Sequence, residues 1–124
     1  MKMYEVLALQ NFYSSIHDKK LPIKTAYKLS RLAKRAEEEN QFYQSQFQKI
    51  IDEYALKENG RLVYSEDKIS IKIIPGKEDE CVAKLAELRE LEVDMQDFEF
   101  SIEEFENLEL TIAQMSSILP LIKN

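Results

Sequence analysis

Apolar residues recur along this chain at intervals that predict helices over most of its length. A first helix, over residues 5–17, is indicated by apolar positions three or four residues apart: Val6, Leu9, Tyr13 and Ile16. It ends before Leu21-Pro22, because a proline disfavours helical geometry in the residue that precedes it. The periodic pattern then continues over about residues 23–57, and Asn59-Gly60 is expected to supply a left-handed stop. This second helix is unusually long and amphipathic.

The long helix carries an apolar seam with heptad spacing. Its members alternate in steps of three and four residues: Ala26, Leu29, Ala33, Ala36, Asn40, Tyr43, Phe47, Ile50 and Tyr54. Leu32, Phe42 and Ile51 make the apolar face wider than a two-stranded coil requires. We therefore expect a helical bundle or the core of a homo-oligomer. Asn40 would either be a buried amide that fixes the register or a partly exposed polar break.

Short β-type runs follow the long helix. A β-hairpin over about residues 61–74 is predicted by Leu62-Val63-Tyr64 and by the alternating run from Ile69 to Ile73. Pro75-Gly76 should end this hairpin.

The remaining third of the chain predicts shorter helices. Carboxylates at residues 78–80 suit the positive end of a third helix, and capping-box sequences begin at Ser101 and Thr111. Segment 92–100 could be strand or loop. The chain length suits one core, so we predict a single domain, residues 1–124, of the α+β class and mainly helical, with the shorter helices packed around the long helix and the hairpin.

Charge is strongly segregated, although the formal net charge is only -6. Residues 19–36 contain seven cations and no acid, whereas residues 90–109 contain nine acids and no base. Four cations of the first segment share one helix face, and an aromatic residue lies among them. This basic stripe consists of Lys24, Tyr27, Lys28, Arg31 and Arg35.

Three interpretations of the basic stripe compete. It is a solvated face, it pairs with the acidic segment within or between subunits, or it binds a phosphorylated ligand. Overall acidity, and the scarcity of stacking aromatics beside the stripe, argue against general nucleic-acid binding. A nucleotide signal stays possible.

The usual signatures of catalysis and metal binding are missing from the sequence. His17 is the sole histidine, and Ser15 and Asp18 are too close to it along a helix to complete a catalytic triad. The single cysteine, Cys81, lies in an apolar helical pattern and is expected to be a buried structural thiol. The two glycines form no nucleotide-binding motif. We therefore expect no catalysis, no metal and no cofactor.

The chain also lacks the patterns of membrane or exported proteins. No run of about 18 apolar residues occurs, and residues 1–5 have neither the apolar stretch nor the cleavage site of a signal peptide. A cytoplasmic protein without a membrane partner is expected.

Several short motifs are spread over most of the chain. They are Leu21-Pro22-Ile23-Lys24-Thr25-Ala26-Tyr27-Lys28-Leu29, Ile51-Asp52-Glu53-Tyr54-Ala55 with the later Gly60, Phe105-Glu106-Asn107-Leu108, and Leu119-Pro120-Leu121-Ile122. Together they resemble a family of small, uncharacterised proteins encoded by tailed bacteriophages and prophages. The resemblance implies a phage gene product that acts in the bacterial cytoplasm, with no established catalytic residues to carry over.

These observations favour an interaction protein that binds a host protein, either as an accessory factor or as an inhibitor of host defence. One alternative is an assembly chaperone or minor structural component of the virion. Another is a sponge that sequesters a phosphorylated nucleotide signal at the basic stripe.

Overall fold

Helices dominate the computed structural model, which describes residues 1–123. The α-helices are α1 (Met3–Ile16), α2 (Ile23–Tyr54), α3 (Glu78–Arg89) and α4 (Ile112–Ile118), and 3-10 turns span Ile102–Phe105 and Leu119–Leu121. Two short strands, β1 (Lys57–Glu58) and β2 (Arg61–Leu62), pair antiparallel. The fold class is therefore α+β and mainly helical, as predicted.

The described residues form two compact units, and the boundary between them falls inside α2. The first unit contains Met1–Gln41 together with the described residues from Leu91 onward, and the second is Phe42–Glu90.

In the first unit, α1 buries one apolar face and packs against α4. The buried residues of α1 are Met3, Val6, Leu9, Phe12 and Ile16. Phe12 lies edge-on to Phe105, with 6.1 Å between the ring centroids, and Phe105 in turn lies 5.5 Å from Phe100. The predicted apolar stripe thus included Tyr13, which is half-buried, and missed Phe12 beside it.

The buried side of α2 in this unit includes Leu29 and Ala36 of the predicted seam and Leu32 of the wider apolar face, and it adds Thr25. Ala26, the first member of the seam, is exposed. The predicted seam did not include Thr25, because Thr25 is polar and the seam was identified from apolar side chains. Among the other seam members, Tyr54 is buried, and the half-buried ones are Ala33, Asn40, Tyr43, Phe47 and Ile50.

In the second unit, α2 ends at Tyr54, three residues before the predicted end, because the chain then enters β-type pairing. Asn59 and Gly60 have φ values of 52° and 77°. They form the turn between β1 and β2, where consecutive left-handed residues suit a two-residue hairpin. The hairpin therefore lies earlier in the chain than the predicted range of 61–74.

The two runs that predicted the hairpin do meet, but only at an isolated bridge between Tyr64 and Ile71. Around it, three chain segments close a ring of backbone hydrogen bonds. The Leu56 amide donates to the Lys72 carbonyl at 2.8 Å, the Lys72 amide donates to the Val63 carbonyl at 2.8 Å, and the Val63 amide donates to the Leu56 carbonyl at 3.0 Å. Each segment is therefore paired with both of the others.

The later elements largely follow the sequence prediction. Helix α3 begins with its three carboxylates, and Thr111 caps α4 by accepting a hydrogen bond from the Gln114 amide at 3.1 Å. The predicted helix after Ser101 is a 3-10 turn. Segment 92–100 has no strand ladder, only bridges from Glu92 to Lys2 and from Phe100 to Ile122.

One carboxylate, Glu104, joins α2 to the segment around residue 100. The Thr25 hydroxyl donates to its Oε1 atom at 3.0 Å, and the Ser101 amide donates to Oε2 at 2.7 Å. The Lys28 ammonium lies 2.8 Å from Oε1 and 3.0 Å from Oε2. Burial opposes ionisation, but the hydrogen bonds from Lys28, Ser101 and Thr25, with the Lys28 charge, lower the pKa of Glu104 below its ordinary value.

Glu104→Gln should destabilise the protein at neutral pH by about 1–2 kcal/mol, because the amide loses the charge that Lys28 and the other donors face. Since the folded-state pKa is lowered, this stabilisation is fully present above the ordinary pKa of about 4.3 and is lost as pH falls through the lowered value. Urea unfolding at a series of pH values should show wild type and variant converging in acid. The exposed neighbour supplies the control, Glu103→Gln. If the difference in unfolding free energy between wild type and Glu104→Gln were constant with pH, the lowered pKa of Glu104 would be contradicted.

Candidate functional site

The structure divides the basic stripe of α2 into two parts. Lys28 and Arg35 are held by the acidic C-terminal segment of the same chain. Besides Glu104, the Lys28 ammonium donates to the Glu99 carbonyl at 2.7 Å and lies 4.6 Å above the Phe100 ring. Arg35 pairs with Glu39 at 3.1 Å and reaches the Asp94 carbonyl at 3.4 Å. These two cations therefore hold the segment onto α2.

The other members of the stripe lie on a face of α2 that is open to solvent. Ile23 and Tyr27 are 87% and 64% exposed, and Lys24, Arg31 and Lys34 are exposed around them. Ile23, Tyr27 and Arg31 are spaced by four residues, so they align along the helix. We call these five residues, Ile23, Lys24, Tyr27, Arg31 and Lys34, the outer face.

Among the described residues, the cations of the outer face have no acidic partners. Within residues 1–123, no carboxylate lies within 4.0 Å of Lys24, Arg31 or Lys34. The Arg31 guanidinium instead lies 5.9 Å from the Tyr27 ring centroid and 5.8 Å from that of Phe98. These two rings restrict the guanidinium while leaving its hydrogen-bond donors free.

This arrangement suits the binding of an acidic surface that also offers an apolar pocket. Tyrosine and arginine are the residue types that most often dominate binding energy at protein interfaces. Burying a side chain as large as that of Ile23 is worth about 1.5–3 kcal/mol. Sequence reasoning missed Ile23 and Lys34, although the four-residue spacing from Ile23 to Tyr27 could have found the former.

The lone histidine lies at the exposed C-terminal end of α1. Its Nδ1 atom lies 2.8 Å from the Ser14 carbonyl oxygen. The Ser15 hydroxyl does not approach it, because that group donates to the Phe12 carbonyl at 2.6 Å. Ser15 is therefore not positioned as a nucleophile that His17 could activate.

Cys81 is buried in α3, as predicted from the apolar pattern around it. Burial raises the pKa of its thiol above the ordinary value, which keeps the sulfur protonated and weakly nucleophilic. Across residues 1–123, no group of three or more His, Cys, Asp or Glu side chains is arranged to hold a metal ion. None of the helices in that range is both long enough and apolar enough to cross a membrane.

The thiol of Cys81 should react with a disulfide reagent at least about tenfold more slowly in the folded protein than in denaturant, because it is buried and protonated. Cys81→Ser should cost about 1–3 kcal/mol of unfolding free energy, because it buries a more polar hydroxyl. Cys81→Ala is the matched control for lost volume. Rapid labelling of the folded protein would show that the thiol is accessible.

Comparison with known proteins adds no residue to this site. No protein-family model, no curated protein and no solved structure matches the chain.

Proposed function

We propose that this chain is a non-catalytic, phage-encoded interaction protein that binds a host protein through the outer face of α2. The observation that carries the proposal is the exposure of Ile23 and Tyr27 among cations that have no carboxylate within 4.0 Å in residues 1–123. The motifs that resemble phage proteins support the phage origin and the bacterial cytoplasm as its place of action. The partner would be an accessory target or a component of host defence.

Charge and apolar exposure have separate roles in this proposal. Lys24, Arg31 and Lys34 attract and orient an acidic partner surface, which mainly raises the rate of association. Ile23 and Tyr27 lose their contact with water in the complex, which mainly slows dissociation. The partner surface is therefore acidic around an apolar depression.

The division of the basic stripe favours protein binding over capture of a nucleotide signal. A phosphate site needs converging cations, but Lys28 and Arg35 are engaged by the acids and carbonyls of the chain itself. Only Lys24 and Arg31 of the predicted set stay available beside Tyr27. An assembly chaperone that binds a virion protein would use the same outer face and is distinguished by the identity of the partner.

The surroundings of the reactive side chains support a function without catalysis. His17 lies against a backbone carbonyl at an exposed helix end, and the Cys81 thiol is buried with a raised pKa. Neither side chain has the neighbours that would activate it.

The test is capture from infected and uninfected host lysates, followed by binding measurements with the purified captured protein. Lys24→Glu with Arg31→Glu should weaken binding at least about tenfold, because like charges then face each other across the interface. Tyr27→Ala should weaken binding without altering its salt dependence. Helicity should be unchanged, since exposed charge pairs contribute only about 0–1 kcal/mol to folding.

The matched control is Lys84→Glu with Arg89→Glu, which makes the same charge change on exposed residues of α3. It should bind as wild type does. Wild-type affinity should also fall when ionic strength rises from about 0.01 M to about 0.15 M, as the screening length shortens from about 30 Å to about 8 Å. Equal affinities for the α2 variant, the α3 variant and the wild type would refute the proposal.

A further inference from the structure

A second surface of the first unit has the opposite charge to the outer face. Residues 102–115 enclose an open groove of about 410 Å³. Ile102, Leu108 and Met115 are among the apolar residues that line it, and Glu103 and Glu106 lie exposed in its walls. We call this surface the acidic groove.

Part of the apolar lining of the acidic groove is left open to solvent by the described residues. Ile102 is 45% exposed, and Leu108 and Met115 are only half-buried. Glu103 and Glu106 have no cation within 4.0 Å in residues 1–123. The groove therefore offers an apolar floor and unpaired carboxylates to an occupant that is both apolar and basic.

We propose that the occupant of the acidic groove is the outer face of α2 from a second copy of this chain. The outer face projects Ile23 and Tyr27 as apolar groups and Lys24, Arg31 and Lys34 as cations, which is the complement that the groove requires. A cation–carboxylate contact of this kind already operates within one chain, where the Lys28 ammonium of α2 binds the Glu104 carboxylate. Each contact joins two different surfaces, so the copies associate either head to tail or as a reciprocal pair in which each outer face lies in the other copy's groove.

Such an assembly regulates the site proposed above. The outer face cannot bind a partner protein while it lies in a neighbour's groove, so self-association and partner binding exclude each other. This masking rests on the proposed function, whereas the self-association does not. The outer face is exposed at low protein concentration, and at high concentration it is covered by the acidic groove of another copy.

The test exchanges charge between the two surfaces. One variant carries Lys24→Glu with Arg31→Glu, and the other carries Glu103→Lys with Glu106→Lys. Sedimentation velocity should show concentration-dependent association of the wild type, and each variant alone should associate at least about tenfold more weakly, because like charges meet. An equimolar mixture of the two variants should associate again, since each acidic surface then has a basic partner.

A second measurement locates the interface. Acylation of lysines, read by mass spectrometry, should show Lys24 protected as wild-type concentration rises, while the exposed Lys84 of α3 reacts equally at all concentrations. Circular dichroism checks that each variant is folded. When both variants are folded, recovery of association in the mixture reports restored charge complementarity between the two surfaces.

The outcomes separate the two proposals. A wild type that stays monomeric at every concentration, or a mixture that does not regain association, would overturn the self-association. The groove variant should still bind the captured partner protein, because its outer face is unchanged. If charge exchange restores association but the outer-face variant binds that partner normally, the proposed function fails and the self-association stands.

Discussion

The ionised carboxylate of Glu104 is the interaction on which the first unit depends. It lies between Thr25 and Lys28 of α2 and the Ser101 amide, and it neutralises a cation on a helix face that would otherwise be uniformly positive. A partly buried charge of this kind is costly unless several donors converge on it. Here Thr25, Lys28 and the Ser101 amide converge on it, so this acidic side chain is a main contact between the segment around residue 100 and α2.

The position of that segment then determines which part of the basic stripe stays available. Lys28 is covered through Glu104 and the Glu99 carbonyl, and Arg35 through the Asp94 carbonyl. The cations that remain, with Ile23 and Tyr27, form the outer face. The candidate site is thus the part of the stripe that the contacts of Lys28 and Arg35 leave exposed, and only Lys28 and Arg35 have a structural role in the described residues.

Sequence periodicity predicted the helices well, because α1, α3 and α4 bury residues at regular intervals or begin with recognisable caps. It failed where a polar residue takes a core position or where a signal has two meanings. Thr25 is buried because its hydroxyl has a partner 79 positions later in the chain, and no local pattern contains that information. Asn59-Gly60 fits both a helix stop and a hairpin turn. In the structure these two residues form the hairpin turn, because residues 56, 63 and 72 pair with one another, and local sequence does not reveal that pairing.

The ring of backbone hydrogen bonds in the second unit has a consequence for aggregation. Short strands normally leave an edge whose free amides and carbonyls can recruit a strand from another molecule. At the level of Leu56, Val63 and Lys72, each of the three segments uses its amide on one neighbour and its carbonyl on the other. The ring has no first or last strand at that level, so a foreign strand finds no unsatisfied backbone there. Protection from cross-strand growth at this level therefore comes from three residues that satisfy one another's backbone groups.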